Sequence, residues 1–351
     1  MASFGKMDLP IIDYQSLDSK DSQRSRTPVS LKERSRLYSA LKDTGFAYLK
    51  HPRINQATID SLFSHTKKFF AKPLEEKIKI KGELEKGRGP SQGYSNPAKL
   101  AKDPKTSDLK EFFGMYYDED TEKPNQWLED EESTAMRADL VAFFESCHLV
   151  ILELLSALAE EVGMSPETLH PYIAEKNHFI ACLHYPGTKA DAFEFRTRAA
   201  PHTDYGCLTL LFNDSKEGLQ VLTRNGTYEY VPRIDDCAVL NVGDLTSRFF
   251  NGILPSTMHR VVQPPSSSTD PDAEIPSRYS LAFFGHYNLS TLVKPLDPLV
   301  SEASPARFEP IEAGEHVKAR VRQLHVAGHS LKENAGGVVQ SQPHAVVSAS
   351  A

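Results

Sequence analysis

Apolar residues in the first half of the chain recur every three or four positions, the spacing that places them on one face of a helix. One such stripe runs from Ile59 to Phe70, and a longer one extends from about Thr134 to Val162. Both predict helices that bury one face in a core, and neither carries residues suited to chemistry. A further helix is predicted to end at Gly45, because glycine commonly follows a helix in the left-handed conformation.

From residue 177 onwards the pattern changes to short apolar runs separated by clusters of Gly, Asn, Asp and Pro. Runs of this kind predict antiparallel strands, and the pair Asn225-Gly226 predicts a tight hairpin. Helical character returns at residues 311–332. The pattern therefore indicates a mainly β fold with flanking helices, built on an antiparallel sandwich or barrel.

The same changes in pattern divide the chain into segments. We expect an N-terminal mixed α/β part packed on the core (1–120), a long helix (121–175), the β core (176–295), a C-terminal helical segment (296–335) and a disordered tail (336–351). The 351 residues allow one large domain or two small ones, since domains have about 100–200 residues.

Composition and charge exclude several classes of partner. Lys and Arg number 40 and Asp and Glu 47, so the formal net charge is −7. Nucleic acids and anionic membranes attract positively charged surfaces, and we expect neither as a partner. No apolar run reaches the length of about 18 residues that spans a bilayer, and no secretory signal is visible. The four cysteines form no C-x-x-C pair, which favours a cytoplasmic location over a disulfide framework or a zinc ribbon.

The residues best suited to chemistry lie at 201–206. His202 and Asp204 are two positions apart, so a strand would place both side chains on one face. His259 is the candidate third ligand, because intervening antiparallel strands could return the chain to the same place. Two histidines and one carboxylate form the facial triad of non-haem Fe(II) oxygenases, which leaves metal positions open for other ligands.

A second pair of polar residues follows His259. Arg278 and Ser280 are again two positions apart at the start of an apolar run. A guanidinium fork beside a hydroxyl suits the terminal carboxylate of a small molecule. Taken singly, each of these patterns also fits an ordinary surface pair, and only their combination points to a site.

The motifs His-Thr-Asp at 202–204, His259 and Arg-Tyr-Ser at 278–280, in this order and spacing, resemble the 2-oxoglutarate/Fe(II)-dependent dioxygenases of the isopenicillin N synthase-like group. The segments 183–186 and 241–245 agree, and the resemblance covers roughly residues 8–330. It implies a double-stranded β-helix (jelly-roll) core.

The resemblance also implies the ligands of the site. Fe(II) would be held by His202, Asp204 and His259. The co-substrate 2-oxoglutarate would be bound by Arg278, Ser280 and Tyr185, and O2 would be the second co-substrate. The implied activity is oxidation of a C–H bond of a small organic molecule by hydroxylation, desaturation or ring formation, with release of succinate and CO2. Residues 283–289 look like those of fungal small-molecule tailoring members, which favours a secondary-metabolite substrate.

Residues expected near the substrate flank these motifs. Leu208 and Leu210 would share the face of the metal ligands if the strand is regular. Arg196 and Arg198 lie in the segment 187–200, which we expect to cover the site, and could meet an acidic group of the substrate. The remaining candidates are aromatic: Tyr94, Phe112, Phe249 and Phe284.

Three other interpretations stay open at this point. The protein could be an Fe(II) oxidase of the isopenicillin N synthase type, which does not use 2-oxoglutarate. It could be a non-catalytic barrel that binds a ligand, although such a module has no need of the complete set of His, Asp, His and Arg. A zinc hydrolase is the weakest alternative, because the general-base Glu of the H-E-x-x-H motif is missing. The pattern does not predict an oligomeric state.

Overall fold

The computed structural model describes residues 5–14, 30–82, 92–96, 107–120, 124–214, 217–264 and 270–330, with side chains up to residue 322. The tail predicted to be disordered, 336–351, lies outside the described residues.

Helices flank the sheets on the N-terminal and C-terminal sides. They are α1 (Leu31–Thr44), α2 (Gln56–Ala71), α3 (Leu74–Lys77), α4 (Glu131–Glu161), α5 (Asp244–Phe249) and α6 (Ala313–Ser330). Short 3-10 turns lie at Ile78–Ile80, Pro166–Ile173, Ala190–Phe193 and Asp297–Leu299.

Most of the strands fall in the second half of the chain. They are β1 (Ile11–Asp13), β2 (Phe46–Lys50), β3 (Gly93–Ser95), β4 (Glu111–Met115), β5 (Phe179–Tyr185), β6 (Thr188–Lys189), β7 (Ala199–His202), β8 (Leu208–Asn213), β9 (Leu219–Leu222), β10 (Tyr228–Tyr230), β11 (Ala238–Val242), β12 (His259–Val261), β13 (Glu274–Ile275), β14 (Arg278–Phe284), β15 (Leu292–Val293) and β16 (Ile311–Glu312).

The helix ends carry the expected capping residues. The Ser30 hydroxyl accepts a hydrogen bond from the backbone N–H of Glu33 at the start of α1, and Asp130 caps α4 in the same way through Ser133. Gly45 ends α1 with φ +75°, and its N–H donates to the Leu41 carbonyl. The predicted role of Gly45 is confirmed.

Gly45 gives a prediction about stability. A Cβ atom there would lie 2.3 Å from the Pro255 carbonyl oxygen, in a left-handed conformation that already disfavours a side chain. We expect Gly45→Ala to lower the free energy of unfolding, measured by denaturant titration, by more than about 2 kcal/mol. Gly163→Ala is the control, since Gly163 has φ +78° with nothing near its Cβ, and it should lose only about 1 kcal/mol. Equal losses would contradict the importance of the Pro255 contact.

Two sheets form the centre of the fold. The larger has the order β1-β2-β11-β8-β14-β5-β4-β3 and the smaller the order β10-β9-β12-β7. The predicted hairpin at Asn225-Gly226 joins β9 to β10, which pair antiparallel. The N-terminal strands β1 to β4 are hydrogen-bonded into the larger sheet, so the first 120 residues contribute to the sheet as well as to its helical cover.

The larger sheet separates two hydrophobic cores. On one face, helix residues such as Leu155 pack with Leu208 and Phe283. We call this the helix-side core. On the other face, Tyr48 of the larger sheet packs with Val221 and Val261 of the smaller sheet. The two sheets therefore face each other, and strand alternation decides which side chains enter the space between them.

Helix α4 forms much of the helix-side core. By length and composition alone its 31 residues could cross a membrane, and 61% of the most apolar window is buried inside the protein. Its Leu154, Leu155 and Leu158 are almost fully buried. Core helices pass the same test, and the burial of α4 is that of a core helix.

Candidate active site

The three predicted metal ligands lie together where β7 ends and β12 begins. His202 closes β7, His259 opens β12, and the two are paired across the strands. Asp204 lies two residues beyond the end of β7 rather than inside it. One possible donor atom from each of the three lies within 4.8 Å of the other two, which is close enough for one metal ion to bind all three.

Backbone carbonyls orient both imidazoles. His202 Nδ1 lies 2.7 Å from the Ala200 oxygen, and His259 Nδ1 lies 3.1 Å from the Thr257 oxygen. A carbonyl only accepts, so Nδ1 carries the proton in each ring and the Nε2 lone pair is free for a metal. Both Nε2 atoms lie near Asp204 Oδ1, which is 4.0 Å from that of His202 and 3.9 Å from that of His259.

The other oxygen of Asp204 is fixed by two donors. The Thr209 hydroxyl donates to Oδ2 at 2.6 Å, and the Asn241 amide donates to it at 2.7 Å. These contacts hold the carboxylate so that Oδ1 faces the histidines. Sequence reasoning missed Thr209 and gave Asn241 no role, because each acts only through a partner distant in sequence.

The pKa shifts of His202 and Asp204 suit metal binding. Burial, and then the neighbouring His259, lower the pKa of His202. Burial raises the pKa of Asp204, but the two histidines and the donated hydrogen bonds lower it more, so it lies below its ordinary value. Neutral imidazoles and an ionised carboxylate are the forms that ligate metals, and the mixed N and O donor set fits Fe(II).

A cavity of about 350 Å³ opens directly beside these ligands, and its walls are mostly apolar. His202 and Asp204 form part of the wall. Aromatic rings come from several elements: Tyr116, Tyr117, Phe179, Tyr205 and Phe284. Of the aromatic candidates predicted from the sequence, Phe284 is the one that lines the cavity.

The C-terminal helix α6 contributes to the cavity wall. Val317 is part of the wall. Arg320 donates to the Thr203 hydroxyl at 2.7 Å and forms an ion pair with Asp244 at 3.2 Å. Because Thr203 lies between two of the predicted metal ligands, α6 is attached directly to the segment that carries them.

Arg278, Ser280 and Tyr185 lie together in the larger sheet. Arg278 and Tyr185 are paired between β14 and β5, and the guanidinium carbon is 4.9 Å from the centroid of the tyrosine ring. Arg278 donates to Ser280 at 3.4 Å and to the Asn213 side chain. Both Arg278 and Ser280 are buried, while the intervening Tyr279 packs against the helix-side core, as alternation along a strand requires.

The expectation for Leu208 and Leu210 is wrong. The strand is not continuous, because β7 ends at His202 and β8 begins at Leu208. Both leucines are fully buried in the helix-side core. The intervening Thr209 is the residue of β8 that lines the cavity.

Two aromatic candidates also belong to the core and not to the cavity. Tyr94 is buried on the helix side, and its hydroxyl donates to Glu111 at 2.5 Å. Phe249 is buried between Tyr172 and Tyr287, with ring centroids at 5.5 and 5.0 Å. The sequence alone does not show whether an aromatic residue packs in the core or contacts a ligand.

The remaining candidates occupy intermediate positions. Phe112 is paired with Leu183, which in turn is paired with Ser280. Phe112 therefore lies on the same face of the larger sheet as Ser280, the inner face opposite the helix-side core, but it does not line the cavity. Arg196 is half-buried and also lies outside the cavity wall. Arg198 is completely buried and lies near Tyr185, with its guanidinium carbon 5.9 Å from the ring centroid.

The Thr209 hydroxyl gives a prediction about metal affinity. Thr209→Val removes one of the two donors that fix Asp204 Oδ2, so we expect Fe(II) or Mn(II) to bind about 10–100-fold more weakly in anaerobic titration calorimetry. Thr246→Val is the matched control, since the buried Thr246 hydroxyl contacts the Tyr287 hydroxyl at 2.8 Å instead. Unchanged affinity in Thr209→Val, or an equal loss in the control, would contradict this role.

Comparisons with known proteins agree with this geometry. Residues 9–130 match the family model described as non-haem dioxygenase in morphine synthesis N-terminal, and residues 176–286 match the 2OG-Fe(II) oxygenase superfamily. The proline hydroxylase buaE of Petromyces alliaceus is 31% identical over 299 residues, 82% of this chain and 92% of the relative. The 2-oxoglutarate-dependent dioxygenase frbA of Dothideomycetidae sp. is 30% identical over 86% of this chain and 92% of its own length.

A similar solved structure is that of a full-length Neurospora crassa protein in complex with alpha-KG and thymine. It has a TM-score of 0.79 and 28% sequence identity, and the match covers 90% of this chain and 97% of the Neurospora chain. Oxygenases of this kind have a jelly-roll core, so the predicted fold class is confirmed. With both family models matched and its relatives covered over nearly their full length, this chain belongs to the 2-oxoglutarate- and Fe(II)-dependent oxygenase superfamily, whose members use Fe(II) and 2-oxoglutarate.

Proposed function

We propose that the protein hydroxylates, or otherwise oxidises at a C–H bond, a small organic molecule bound in the cavity beside His202, Asp204 and His259. The observation that carries the proposal is the position of the metal ligands, which form part of the wall of a mostly apolar cavity. A substrate in that cavity has its carbon skeleton next to the ion that His202, Asp204 and His259 would hold.

The cavity supports a small and largely apolar substrate. Its volume of about 350 Å³ is at the lower end of the range of about 300–1,000 Å³ for small-molecule sites. The aromatic walls suit a flat or hydrophobic skeleton, and Glu175 and Lys176 are part of the lining, where they could orient a polar group. Neither a folded protein nor a nucleic acid fits such a space.

The relatives support the same class of substrate. One is named a proline hydroxylase, and the similar Neurospora crassa protein was solved with thymine, so both descriptions point to small molecules. Similar chains from fungi are named 2-oxoglutarate-dependent dioxygenases. On the basis of these fungal relatives, we propose that the present chain acts in fungal secondary metabolism.

The protein's own groups bind, orient and exclude water in this proposal. Arg278, Ser280 and Tyr185 bind the distal carboxylate of 2-oxoglutarate, and their burial removes competing water. Thr209 and Asn241 hold Asp204 in its ligating orientation. When bound, Fe(II) and 2-oxoglutarate supply the activation of O2 and the oxidising equivalents.

A cytoplasmic location is part of the proposal. All four cysteines are free, which suits a reducing compartment. The formal net charge of −7 supports the absence of nucleic-acid and anionic-membrane partners.

The test is an assay of purified protein with Fe(II), 2-oxoglutarate and a panel of small apolar compounds under air. We expect succinate to form only when both Fe(II) and 2-oxoglutarate are present, and a true substrate to raise its rate while being oxidised in equal amount. Iron-loaded protein that makes no succinate with any compound would contradict the proposal. Consumption of O2 that is independent of 2-oxoglutarate would favour an oxidase of the isopenicillin N synthase type.

A further inference from the structure

Arg198 is a buried charged side chain that forms no ion pair with the residues that the structure describes. It is 0% exposed, and Nη2 donates to the Pro276 carbonyl at 2.6 Å. Its Nε and Nη1 atoms are buried without a hydrogen-bond partner among the described residues. Within the same residues no carboxylate forms an ion pair with it. These two nitrogen atoms are therefore available to donate to a bound ligand.

Both ends of Arg198 are held in place. Its backbone N–H donates to the Val261 carbonyl at 2.9 Å, two residues beyond His259, and its guanidinium is fixed by the Pro276 carbonyl. The position of the charge is thus part of the fold and does not depend on a flexible surface side chain. Side chains held in this way lose little entropy when they bind a ligand.

Arg198 and Arg278 approach the same tyrosine. The guanidinium carbons lie 5.9 and 4.9 Å from the centroid of the Tyr185 ring. Burial, and then the positive charge of Arg278, lower the pKa of Arg198 to about 10. Two buried guanidinium groups near each other oppose folding unless an anion compensates them.

The neighbouring charges leave Arg198 without an ion pair among the described residues. Lys110, a third cation near Tyr185, is already paired with Asp108 at 2.8 Å. Asp214 acts on Arg198 electrostatically, but its Oδ2 accepts a hydrogen bond from the backbone of Tyr279 and it forms no ion pair with Arg198 in the described part of the chain.

We propose that Arg198 is a second guanidinium for the distal carboxylate of 2-oxoglutarate, acting beside Arg278 at the Tyr185 ring. This proposal rests on the proposed function and gives the co-substrate site two cationic forks instead of one. Guanidinium groups donate charge-assisted N–H bonds to carboxylates, and Nε and Nη1 of Arg198 are donors without a partner among the described residues.

An acidic group of the substrate is the competing ligand, and the location of Arg198 argues against it. Arg198 does not line the cavity beside the metal ligands. Its neighbours include Tyr185 and Arg278, which belong to the predicted co-substrate site. The expectation that Arg198 meets the substrate is replaced by one in which it meets the co-substrate.

The experiment compares two ligands of Mn(II)-loaded, O2-free protein by titration calorimetry. One is 2-oxoglutarate, and the other is 2-oxovalerate, which has a methyl group in place of the distal carboxylate. We expect Arg198→Met to weaken 2-oxoglutarate binding by about 10–100-fold and to leave 2-oxovalerate binding unchanged. The ligand-free variant should melt at the same temperature as the native protein or higher, because an uncompensated buried charge is gone.

Arg248→Met is the matched control. The Arg248 guanidinium also donates to a single backbone carbonyl, that of Glu309 at 2.7 Å, and its Nε is likewise unpartnered within the described residues. It lies in α5 against Phe308, away from Tyr185. This variant should keep the full preference for 2-oxoglutarate.

The outcomes separate the two proposals. Native protein that does not prefer 2-oxoglutarate over 2-oxovalerate would overturn the co-substrate site itself. A native preference that survives in Arg198→Met would overturn the role of Arg198 alone, as would an equal loss of both ligands with a lower melting temperature. If Arg198→Met does not fold, Arg198→Lys, which keeps the charge but loses the fork, should still reduce the preference.

Discussion

Asp204→Asn is expected to abolish Fe(II) binding and succinate formation while leaving the metal-free protein folded. The substitution keeps the shape of the side chain and an oxygen that can accept from Thr209 and Asn241, but it removes the only negative charge of the ligand set. Two neutral imidazoles and an amide hold a divalent ion poorly. We expect metal affinity to fall by more than about 100-fold, beyond the effect of an outer-sphere change.

Asp204→Ala separates charge from shape. It also removes the acceptor for two buried donors, at 2.6 Å from Thr209 and 2.7 Å from Asn241. Leaving such donors unsatisfied costs about 1–3 kcal/mol, so metal-free Asp204→Ala should unfold at lower denaturant concentration than metal-free Asp204→Asn. Metal content is measured on the purified variants and stability by circular dichroism. Iron retained at native level by Asp204→Asn would show that the metal site lies elsewhere.

The clustering of His202 with Asp204 could be predicted because short spacings survive small errors in strand boundaries. His202 and Asp204 remain neighbours even though β7 ends at His202 and Asp204 lies beyond it. The same holds for Arg278 and Ser280, which occupy one strand and one face. The distant partner, His259, could be offered only as a candidate from the strand pattern, since no local rule joins it to β7, and the resemblance to a known family then supported it.

The predictions that failed extended a local pattern across a break. Leu208 follows the break between β7 and β8, so counting alternate positions from His202 gave the wrong face, and Thr209 occupies the inner one. Arg198 could be recognised as a possible anion ligand from its charge. Its burial, its proximity to Tyr185 and its two donor atoms that find no partner in the described part of the chain are tertiary facts that no pattern in the segment 187–200 contains.

Arg278→Gln is expected to remove most of the protein's preference for 2-oxoglutarate over 2-oxovalerate. Arg278 is 1% exposed, and Asn213 and Ser280 accept from its Nη2 and Nη1 atoms, which orients the fork. Losing one partner of a buried charge pair costs about 2–5 kcal/mol. The KM for 2-oxoglutarate should therefore rise by at least about 30-fold, with a smaller change in kcat at saturating co-substrate, because Arg278 is not one of the metal ligands.

Arg260→Gln is the control for this change. Arg260 follows the metal ligand His259 on β12, but its guanidinium contacts Gln220 at 2.8 Å and lies 3.9 Å from the Tyr228 ring centroid, so its loss should leave the KM for 2-oxoglutarate unchanged. Steady-state succinate formation measures all variants. An unchanged KM in Arg278→Gln would exclude this residue from the co-substrate site.

The double variant Arg198→Met with Arg278→Gln tests whether both residues bind one carboxylate. Groups that share a ligand show coupling in a double-mutant cycle, whereas independent groups give additive losses. Once Arg278 is gone, the carboxylate loses its fixed position between the two forks, and Arg198→Met should then cost less than in the native protein. Additive losses would assign the two guanidinium groups to separate ligands, because the Tyr185 ring brings them close without requiring that they bind the same anion.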